Sequence, residues 1–379
     1  MKKLAILTPG FYEQAVGGAE FQTYLIAEYA KQQGWDVSYI FIATKKDTDF
    51  ANNLNLNLHP VYIKTNRFFR KFGKYKPIFA LVKTWKLLKQ IKPDIIYSRT
   101  GGPQSGLAAF YSKKNKNSKS VWQVASDKDV IFKNSLKPFD WLYFKLSDYG
   151  IKYSTRVLSQ TKFQQQMLLK KFQRESILFR NLHQLPKEEP TKNKDFFQVI
   201  WVANLKQVKR PMLFIELVKS LPYNDKFKFI MVGKNQGVKS YESIIGSVPN
   251  LLYLGEKSME EVNSLIASSY ILVNTSEYEG FSNTFIQSWM RNTIVCTLGV
   301  DPDNLLSESK MGYCCNSINQ MKDIILDLYS NNKLRQDIAE RAKTFAIKEF
   351  SLNKKAHDIK KYGSYIPPDP KPGGYNLCL

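Results

Sequence analysis

The sequence has few of the residues from which metal, redox and acid–base sites are usually built. Its 379 residues include only four cysteines and three histidines. The cysteines lack the paired spacing of a zinc site, and four are too few for a disulfide framework in a chain of this length. We therefore interpret them as buried or incidental thiols.

Long hydrophobic runs are also missing. The longest apolar runs span four or five residues, whereas a helix that crosses a bilayer needs about 20. The first residues, Met1-Lys2-Lys3 before Leu4–Leu7, imitate a signal peptide, but this apolar run stops at Thr8-Pro9-Gly10 and is too short. We interpret it as a first β-strand and expect a cytoplasmic protein.

Acidic residues are few, and they are fewest in the first half of the chain. The chain has 33 Asp and Glu against 56 Lys and Arg, a net charge of +23, and residues 1–186 alone hold 31 Lys and Arg but only 12 acids. Residues 61–90 contain nine Lys and Arg, seven aromatic residues and no acid. Such a mixture suits an anionic lipid surface or nucleic acid. Because no zinc-finger, RNP or KH pattern appears, we expect no nucleic-acid partner.

An ordinary packed helix explains part of the same basic segment. Between Ile78 and Leu88 the apolar residues follow helical spacing, with Lys83, Lys86 and Lys89 on the other side. A packed helix with a basic exterior and a membrane-contacting element are compatible. The residues assigned to membrane contact precede this helix and are basic or aromatic: Arg67, Phe68, Phe69, Arg70, Lys71 and Lys74.

Short β-branched runs alternate with amphipathic segments of helical length. The first series of predicted strands is Leu4–Thr8, Val37–Ile42, Asp94–Ser98, Val121–Ala125, Val157–Gln160 and Ile177–Asn181. The second series is Val199–Ala203, Phe229–Gly233, Leu251–Gly255, Ile271–Thr275, Ile294–Thr297 and Gly312–Cys315. The pattern predicts an α/β fold with parallel sheets covered by helices on both faces.

A polar, proline-bracketed segment, residues 185–195, separates the two series and is typical of a linker. We therefore predict two doubly wound, Rossmann-like domains, residues 1–185 and 186–365, that face each other across a cleft. Ligands of such sheets bind beyond the carboxyl ends of the strands. The final predicted helix, residues 332–362, is expected to pack back on the first domain, and residues 366–379 form a tail rich in proline and glycine.

Two loops that follow predicted strands carry glycines or cations. In "TPGFYEQAVGGAE", Gly17 and Gly18 lie where a backbone can approach a phosphate closely; the G-x-G-x-x-G pattern is absent, and a plain turn is the alternative. In "WVANLKQVKRP", Lys206, Lys209 and Arg210 lie where cations could neutralise a diphosphate. A basic loop ended by a proline explains that stretch equally well.

A third loop combines acids, a glycine and a polar cluster ahead of a predicted helix. In "SEYEGFSNTFIQSWM" the helix has an apolar stripe formed by Phe285, Ile286, Trp289 and Met290, which turns Asn283 and Gln287 away from the core. Helix capping explains Ser282, Asn283 and Thr284. Capping leaves Glu279, Gly280 and Gln287 without a role. A diphosphate bound at the helix start would instead accept from the free N–H groups of the helix, and Glu279 and Gln287 would reach the ligand hydroxyls on either side of the diphosphate.

These three blocks, "GGAE", "NLKQVK" and "EGFSNTFIQSW", resemble the retaining glycosyltransferases of family 4, which have the two-domain GT-B fold. The resemblance extends over nearly the whole chain. The last block matches the family's motif of two glutamates with seven residues between them: the first glutamate, which contacts the donor sugar, is Glu279, whereas the second position, which contacts the ribose, is Gln287. The family's diphosphate-gripping lysine matches Lys209, and its arginine position holds Asn204, for which we expect Lys206 to compensate.

The resemblance implies further site residues. The amides of the loop formed by Gly280, Phe281, Ser282, Asn283 and Thr284 would stabilise the leaving diphosphate together with Lys209. In "QVASDKD", the family often places a histidine near the reacting sugar; none of the three histidines lies there, so Asp127 or Ser126 is the substitute, a helix-capping role being the alternative for Asp127. Arg99, in "YSRTGG", is a candidate for contact with the acceptor or a phosphate.

The function implied is transfer of a hexosyl or N-acetylhexosaminyl group, with retention, from a UDP- or GDP-sugar to an acceptor bound by the first domain. No metal or other cofactor is expected. The charge asymmetry suits an enzyme at the inner face of the cell membrane that acts on a lipid-linked or polysaccharide intermediate of bacterial surface glycans. The alternatives are another GT-B enzyme, such as a nucleotide-sugar epimerase, and a nucleic-acid-binding protein that uses the basic first half.

Overall fold

The computed structural model describes residues 1–12, 17–43, 52, 54–63, 76–131, 138–221, 225–235 and 244–352. Within these ranges the strands form two parallel sheets. The first contains β1 Lys3–Thr8, β2 Asp36–Ala43, β3 Asn57–Tyr62, β4 Ile95–Arg99, β5 Lys119–Gln123, β6 Arg156–Ser159 and β7 Ile177–Leu178. The second contains β8 Phe197–Val202, β9 Phe227–Val232, β10 Leu251–Tyr253, β11 Ile271–Asn274, β12 Ile294–Leu298 and β13 Gly312–Cys315.

Helices connect the strands in both halves of the chain. Those of the first half are α1 Gly18–Gln32, α2 Lys76–Ile91, α3 Pro103–Lys114, α4 Pro138–Tyr153 and α5 Lys162–Phe172. Those of the second are α6 Pro211–Ser220, α7 Met259–Ser268, α8 Asn283–Trp289, α9 Ile318–Ser330 and α10 Asn332–Phe350. Several starts are fixed by caps that satisfy free N–H groups; at α7, Ser258 and Glu261 form a reciprocal capping box.

The two sheets share one strand order, apart from the additional strand β7 at the edge of the first, and this order positions the cleft. The first runs β3-β2-β1-β4-β5-β6-β7 and the second β10-β9-β8-β11-β12-β13. In each, the order reverses where the first strand pairs with the fourth, β1 with β4 and β8 with β11. Loops diverge at such a switch point and leave a crevice beyond the carboxyl ends of the strands.

The core lies on both faces of each sheet. Along β1, Leu4 and Ile6 pack with α1, while Ala5 and Leu7 pack on the opposite face with α2 and α3. Along β8, neighbouring residues likewise belong to two different apolar clusters. This arrangement is the one expected for parallel strands buried on both sides, and it confirms the prediction of doubly wound sheets.

The structure differs from the sequence predictions in two places, and some predictions fall on residues that it does not describe. Strand β3 was not predicted because Pro60 interrupts its pattern; the strand lies at the sheet edge, where a missing N–H is tolerated. Helix α2 exists as predicted, but it buries Ala80, Thr84 and Leu88, and Val82 is 66% exposed. Arg67–Lys74, residues 353–362 of the last predicted helix and the 366–379 tail lie outside the described residues.

The end of α10 contacts the first half of the chain. The amide of His183 donates to the carbonyl of Phe350 at 2.8 Å, and the amide of Leu352 donates to the carbonyl of His183 at 2.9 Å. Leu352 is buried in the same apolar cluster as Leu4 and Phe11. The segment after β7 and the end of α10 are therefore joined by backbone hydrogen bonds.

Gly233 provides a test of how closely the strand ends pack. Directly after β9 it has a φ of +149°, and a Cβ at this position would lie 1.7 Å from the carbonyl oxygen of Ala203. We expect Gly233→Ala to lower the free energy of unfolding by about 3 kcal/mol or more, because both the backbone angle and the contact resist a side chain. Gly246→Ala is the matched control, since no atom lies within 4 Å of its Cβ position. Equal thermal unfolding of both variants would contradict the tight contact.

Candidate functional site

The polar loops after β8 and β11 meet at the switch point of the second sheet. Lys209 Nζ lies 2.6 Å from Glu279 Oε1, and the same oxygen accepts from Ser276 Oγ at 2.7 Å and Asn274 Nδ2 at 3.3 Å. The Lys209 and Glu279 side chains are 25% and 12% exposed. Within the described residues, Glu279 Oε2 has no hydrogen bond. One carboxylate oxygen of Glu279 is therefore occupied by hydrogen bonds, and the other is free to accept one.

Arg210 holds the two loops together. Its Nε donates to the carbonyl of Thr275 at 2.6 Å, and its second terminal nitrogen donates to the carbonyls of Ser276 and Leu298 at 3.0 and 2.9 Å. The hydroxyl of Thr275 in turn donates to the carbonyl of Lys209 at 2.7 Å. The sequence suggested Arg210 as a cation for a diphosphate, but its guanidinium is used to shape the loop that carries Glu279.

The start of α8 contacts the first domain through Asn283, the first residue of the helix. Asn283 Nδ2 donates to the carbonyl of Gly18 at 3.1 Å, and Asn283 Oδ1 accepts from Gln22 and Asn181, both at 3.0 Å. Ser282 occupies the cap position without a capping hydrogen bond, its hydroxyl lying 2.9 Å from that of Thr284. Capping by Ser282 therefore does not explain the polar cluster.

Asn181 connects the loop before α8 to Arg99. It donates to the carbonyl of Phe281 at 2.9 Å and accepts from the Arg99 guanidinium at 2.6 Å. Arg99 is buried, and its Nε has no partner among the described residues. The Phe281 side chain packs in the core against Phe350, so only its backbone faces this network. A chain of buried amides thus joins the two domains behind the Lys209–Glu279 pair.

Asp127 and Ser126 occupy the loop after β5. Ser126 forms a capping box with Asp129, whose carboxylate also accepts from the amides of Ala125 and Gly101. Asp129, and not Asp127, is therefore the capping aspartate. Asp127 accepts from Gln164 Nε2 at 2.9 Å. Burial raises the pKa of Asp127 to about 6, and the negative charges of Asp129, Asp303 and Glu279 add to the effect.

Close packing at two glycines brings the loops of the two domains together. A Cβ on Gly280 would lie 2.8 Å from the carbonyl oxygen of Ala125, and one on Gly18 would lie 2.9 Å from Asn283 Nδ2. Beside Gly280, the ammonium of Lys128 lies 4.4 Å from the ring centre of Tyr278, a cation–π contact across the cleft. Gly280 is needed for this approach because its contact is with backbone, whereas at Gly18 the contact is with the end of the Asn283 side chain, which can shift.

A cavity of about 240 Å³ lies between the domains, lined in part by Asn204 from the loop that carries Lys209 and by Thr284 at the start of α8. Lys209 and Glu279 do not themselves line it. Gly17 and Gly18 line one side, and Asn204, Gly233, Met259, Thr284 and Gln287 are among the residues that line the other. Asn204 Oδ1 accepts from the amide of Lys234 at 3.2 Å. Lys206 is exposed, and its charge acts on the half-buried Glu20 of α1. Of the predicted donor residues, six line this cavity and five (Lys206, Lys209 and residues 280–282) do not; those that do are Gly17, Gly18, Asn204, Asn283, Thr284 and Gln287.

The sequence did not reveal the amides that support this cleft, namely the buried Gln22, Asn181, Gln160 and Gln164 and the half-buried Asn263. Asn181 follows the predicted strand Ile177–Asn181, so the rule that places ligands at strand ends could have found it. The others are single polar residues in regular helices or at their starts, where a solvated and a buried amide look alike in sequence.

Among the described residues, no group of three or more His, Cys, Asp and Glu side chains is arranged to hold a metal ion. In the same part of the chain, no helix is both long and apolar enough to span a bilayer.

Comparison with known families matches the two halves of the chain separately. Residues 16–177 match the model described as Glycosyltransferase Family 4, and residues 184–345 match that described as Glycosyl transferases group 1. Two uncharacterized glycosyltransferases of Methanocaldococcus jannaschii are each 24% identical, over 94% and 95% of this chain and 97% and 98% of theirs. The poly(ribitol-phosphate) alpha-N-acetylglucosaminyltransferase of Staphylococcus aureus is 24% identical over 82% of this chain and 64% of its own.

Solved structures share the fold at low identity. Anabaena HepE, solved with UDP-glucose, superposes with a TM-score of 0.76 at 14% identity over 97% of this chain and all of its own. WaaG, a glycosyltransferase of lipopolysaccharide biosynthesis, gives 0.73 at 15% identity, over 95% of this chain and 99% of its own. S. aureus TarM, solved with UDP, fondaparinux and alpha-GlcNAc-glycerol, gives 0.70 at 14% identity, over 96% of this chain and all of its own.

The raised pKa of Asp127 has a measurable consequence. Its pKa is about 6 in the fold, against an ordinary value of 3.8, so the stability from the protonated carboxyl is fully present below about pH 4 and is lost as pH rises through 6. Asp127→Asn keeps an oxygen for Gln164 and removes the charge. We therefore expect this variant to have a higher Tm than the wild type above pH 6, with the gain vanishing toward pH 4.

Thermal unfolding between pH 4 and 8 measures this difference. Asp323→Asn, which changes an exposed acid on α9, controls for the loss of one surface charge. A Tm gain for Asp127→Asn that does not depend on pH would contradict the burial of an ionisable carboxyl at this position.

Proposed function

Because the chain belongs to glycosyltransferase family 4, with the two-domain GT-B fold, we propose that it transfers a sugar, with retention, from a nucleoside diphosphate sugar to an acceptor. The observation that carries this proposal is the Lys209–Glu279 pair, formed where the loop that holds Lys209 also contributes Asn204 to the lining of the interdomain cavity. The site lies at the switch point of the second sheet, where doubly wound domains bind ligands. Residues 186–365 would hold the donor and residues 1–185 the acceptor.

The leaving group of this reaction is a nucleoside diphosphate, so the main demand on the protein is to stabilise growing negative charge. Lys209 is the cation that pairs with Glu279, and Lys206 is exposed in the same loop after β8. Asn204 stands where the family has an arginine and adds no charge. We assign the diphosphate to Lys209, Lys206 and the amides of residues 280–284, with Gly17 and Gly18 allowing close approach from the other domain.

The free oxygen of Glu279 suits a hydroxyl of the donor sugar. Lys209, Ser276 and Asn274 all donate to Oε1, which leaves Oε2 to accept from the ligand. Asp127 lies across the cleft, close enough for its charge to interact with that of Glu279, and we assign it to the reacting sugar or the acceptor hydroxyl. Ser126 is held by its capping box with Asp129, and Arg99 is held by its hydrogen bond to Asn181. We therefore assign both residues supporting positions.

The donor class is inferred from proteins of the same fold and family. HepE was solved with UDP-glucose and TarM with UDP, and one relative is an N-acetylglucosaminyltransferase. We propose a UDP-sugar first and a GDP-sugar second, with a hexosyl or N-acetylhexosaminyl group transferred. No metal is assigned a role, because Lys209 and the loop amides can neutralise the diphosphate themselves.

A panel of nucleotide sugars tests this proposal. We expect UDP or GDP, and one of their sugars, to raise Tm, and we expect that sugar to be hydrolysed slowly without acceptor. Lys209→Ala and Glu279→Ala should fold and lose about 100-fold or more in turnover, since each removes a group that acts on the transition state. Lys219→Ala, an exposed lysine on α6, is the matched control and should keep wild-type turnover.

The possible outcomes separate the site from the function. If no nucleoside diphosphate stabilises the wild type, the proposed function fails. If one does and Lys209→Ala keeps full turnover, Lys209 is removed from the site while the function stands.

We further propose that the first domain contacts an anionic membrane, where a lipid-linked intermediate of a surface glycan would be found. Four aromatic side chains form a ladder across α2, α3 and α4: Trp85 and Phe110 lie 5.6 Å apart, Phe110 and Tyr149 6.4 Å, and Tyr149 and Tyr153 4.6 Å. Lysines accompany the ladder, with Lys89 over Trp85, Lys114 over Phe110, and Lys113 and Lys152 over Tyr153. Aromatic rings flanked by cations suit the headgroup region of an anionic bilayer.

Charge reversal along this ladder tests membrane contact. We expect Lys89→Glu, Lys114→Glu and Lys152→Glu together to weaken binding to phosphatidylglycerol vesicles by at least about tenfold, since each cation near such a surface contributes about 1 kcal/mol. Reversal of Arg70, Lys71 and Lys74 should act in the same direction. The control reverses Lys219, Lys226 and Lys310, which are exposed on the second domain. Equal vesicle binding by all three variants and the wild type would refute membrane contact by this surface.

A further inference from the structure

The side-chain amide of Gln164 can face Asp127 in only one orientation. Gln164 is fully buried on the first turn of α5, and its Oε1 accepts from the backbone amide of Gln160 at 2.8 Å. Because a backbone N–H can only donate, the amide oxygen must lie on that side. The amide nitrogen therefore lies on the other side, where it donates to Asp127 Oδ1 at 2.9 Å.

The start of α5 is itself fixed by both domains. Thr161 caps the helix by accepting from the backbone amide of Gln164 at 3.1 Å, and the amide of Lys162 donates to Asp303 Oδ1 of the second domain at 2.7 Å. A Cβ on Gly280 would lie 3.2 Å from Gln164 Nε2, so the loop before α8 packs directly on this amide. Gln164 therefore has little freedom to turn away from its partners.

Gln164 occupies only one of the two carboxylate oxygens of Asp127. Asp127 is half-buried, and in the part of the chain that the structure describes its Oδ2 has no hydrogen bond. We propose that Gln164 is a positioning residue that holds Asp127 by Oδ1 and leaves Oδ2 to the sugar that is transferred. This inference rests on the proposed function, since it presumes a donor sugar in the cleft.

The charges that act on Asp127 come from its own turn and from the second domain. All of them are negative, and they belong to Asp129, Asp303 and Glu279. Burial raises the pKa of Asp127 to about 6, the hydrogen bond from Gln164 opposes this rise, and the three negative charges add to it. Lys128 is turned toward the ring of Tyr278, and the group that α5 presents to Asp127 is the neutral amide of Gln164. Gln164 is therefore the neighbour that favours the ionised carboxylate.

Ionisation of Asp127 matters for the reaction more than for binding. A sugar hydroxyl can both donate and accept, so binding tolerates either protonation state of the carboxyl. As the bond between the sugar and the diphosphate breaks, positive charge grows on the sugar ring, and a nearby carboxylate stabilises that charge only while it is ionised. We therefore expect turnover to rise with pH as Asp127 ionises, and Gln164 to set the pH at which this happens.

Carbon-13 labelling of the aspartate side-chain carboxyls measures this ionisation directly by NMR, without any substrate. The signal that is missing in Asp127→Asn belongs to Asp127, and in the wild type it should titrate near pH 6. Gln164→Met keeps the length of the side chain but removes the donor, so we expect the titration to move upward by at least about half a pH unit. Gln166→Met, the same change at an exposed position of α5, is the matched control and should leave the titration as in the wild type.

Gln164→Glu separates the donor from the rest of the side chain. A carboxylate at this position can still accept from the amide of Gln160, which preserves the helix start, but it cannot donate to Asp127 while ionised. Its negative charge also disfavours ionisation of Asp127, so the Asp127 signal should again titrate at a higher pH than in the wild type. This variant carries the test if Gln164→Met does not fold, as judged by Tm.

Turnover of the nucleotide sugar that the enzyme accepts is then measured over the same pH range. The wild-type kcat should rise through about pH 6, and in Gln164→Met this rise should move upward together with the Asp127 signal, while KM changes by less than about twofold. A folded variant at position 164 whose Asp127 signal is unmoved, or whose kcat profile does not follow that signal, overturns this inference alone. If the wild type turns over no nucleoside diphosphate sugar, the proposed function fails and the inference with it.

Discussion

The parallel pairing of β8 with β11 is the constraint on which the site depends. Ile271, Leu272 and Val273 pair with Val199, Ile200 and Trp201, so both strands end at the same edge of the sheet and release their loops side by side. Lys209 and Glu279, 70 positions apart in the chain, meet there at 2.6 Å. Arg210 then fixes the two loops relative to each other by donating to the carbonyl of Thr275 and to that of Leu298 at the end of β12. Without that pairing, Lys209 and Glu279 would not be brought together.

A second constraint is the set of polar contacts between the two domains. Asn283 and Asn181 join the start of α8 to α1 and to the segment after β7, and Arg180 pairs with Asp303 at 2.8 Å, with both side chains largely buried. Removing one partner from a buried ion pair is strongly destabilising. Because these groups are polar, their hydrogen bonds can be exchanged for water when the domains move apart. An apolar contact of the same area would resist separation more strongly, so this interface suits a cleft that must admit and release ligands.

How much of this was predictable from the sequence differs between the fold and the site. The alternation of strands and helices, the two doubly wound sheets and the apolar stripe of α8 follow from hydrophobic periodicity, which depends only on neighbouring residues. The edge strand β3 was not predicted because Pro60 breaks its alternating pattern. The buried face of α2 was predicted wrongly because several sets of its apolar residues fit helical spacing. The supporting amides Gln22, Gln164 and Asn263 were missed because burial of an isolated polar residue is decided by tertiary contacts. The domain limits and the roles of the individual site residues remain predictions.

The hydrogen bonds around the Lys209–Glu279 pair also explain how a diphosphate could bind and leave without depriving the Glu279 carboxylate of hydrogen-bond donors. On the proposed function, an incoming diphosphate competes with Glu279 for Lys209. Glu279 then keeps Ser276 and Asn274 as donors to the same oxygen, so the carboxylate is not left without partners when the lysine turns away. Both side chains retain some exposure to solvent, which lowers the cost of separating them. The ion pair is therefore better understood as a resting state that keeps both groups in place than as a contribution to stability.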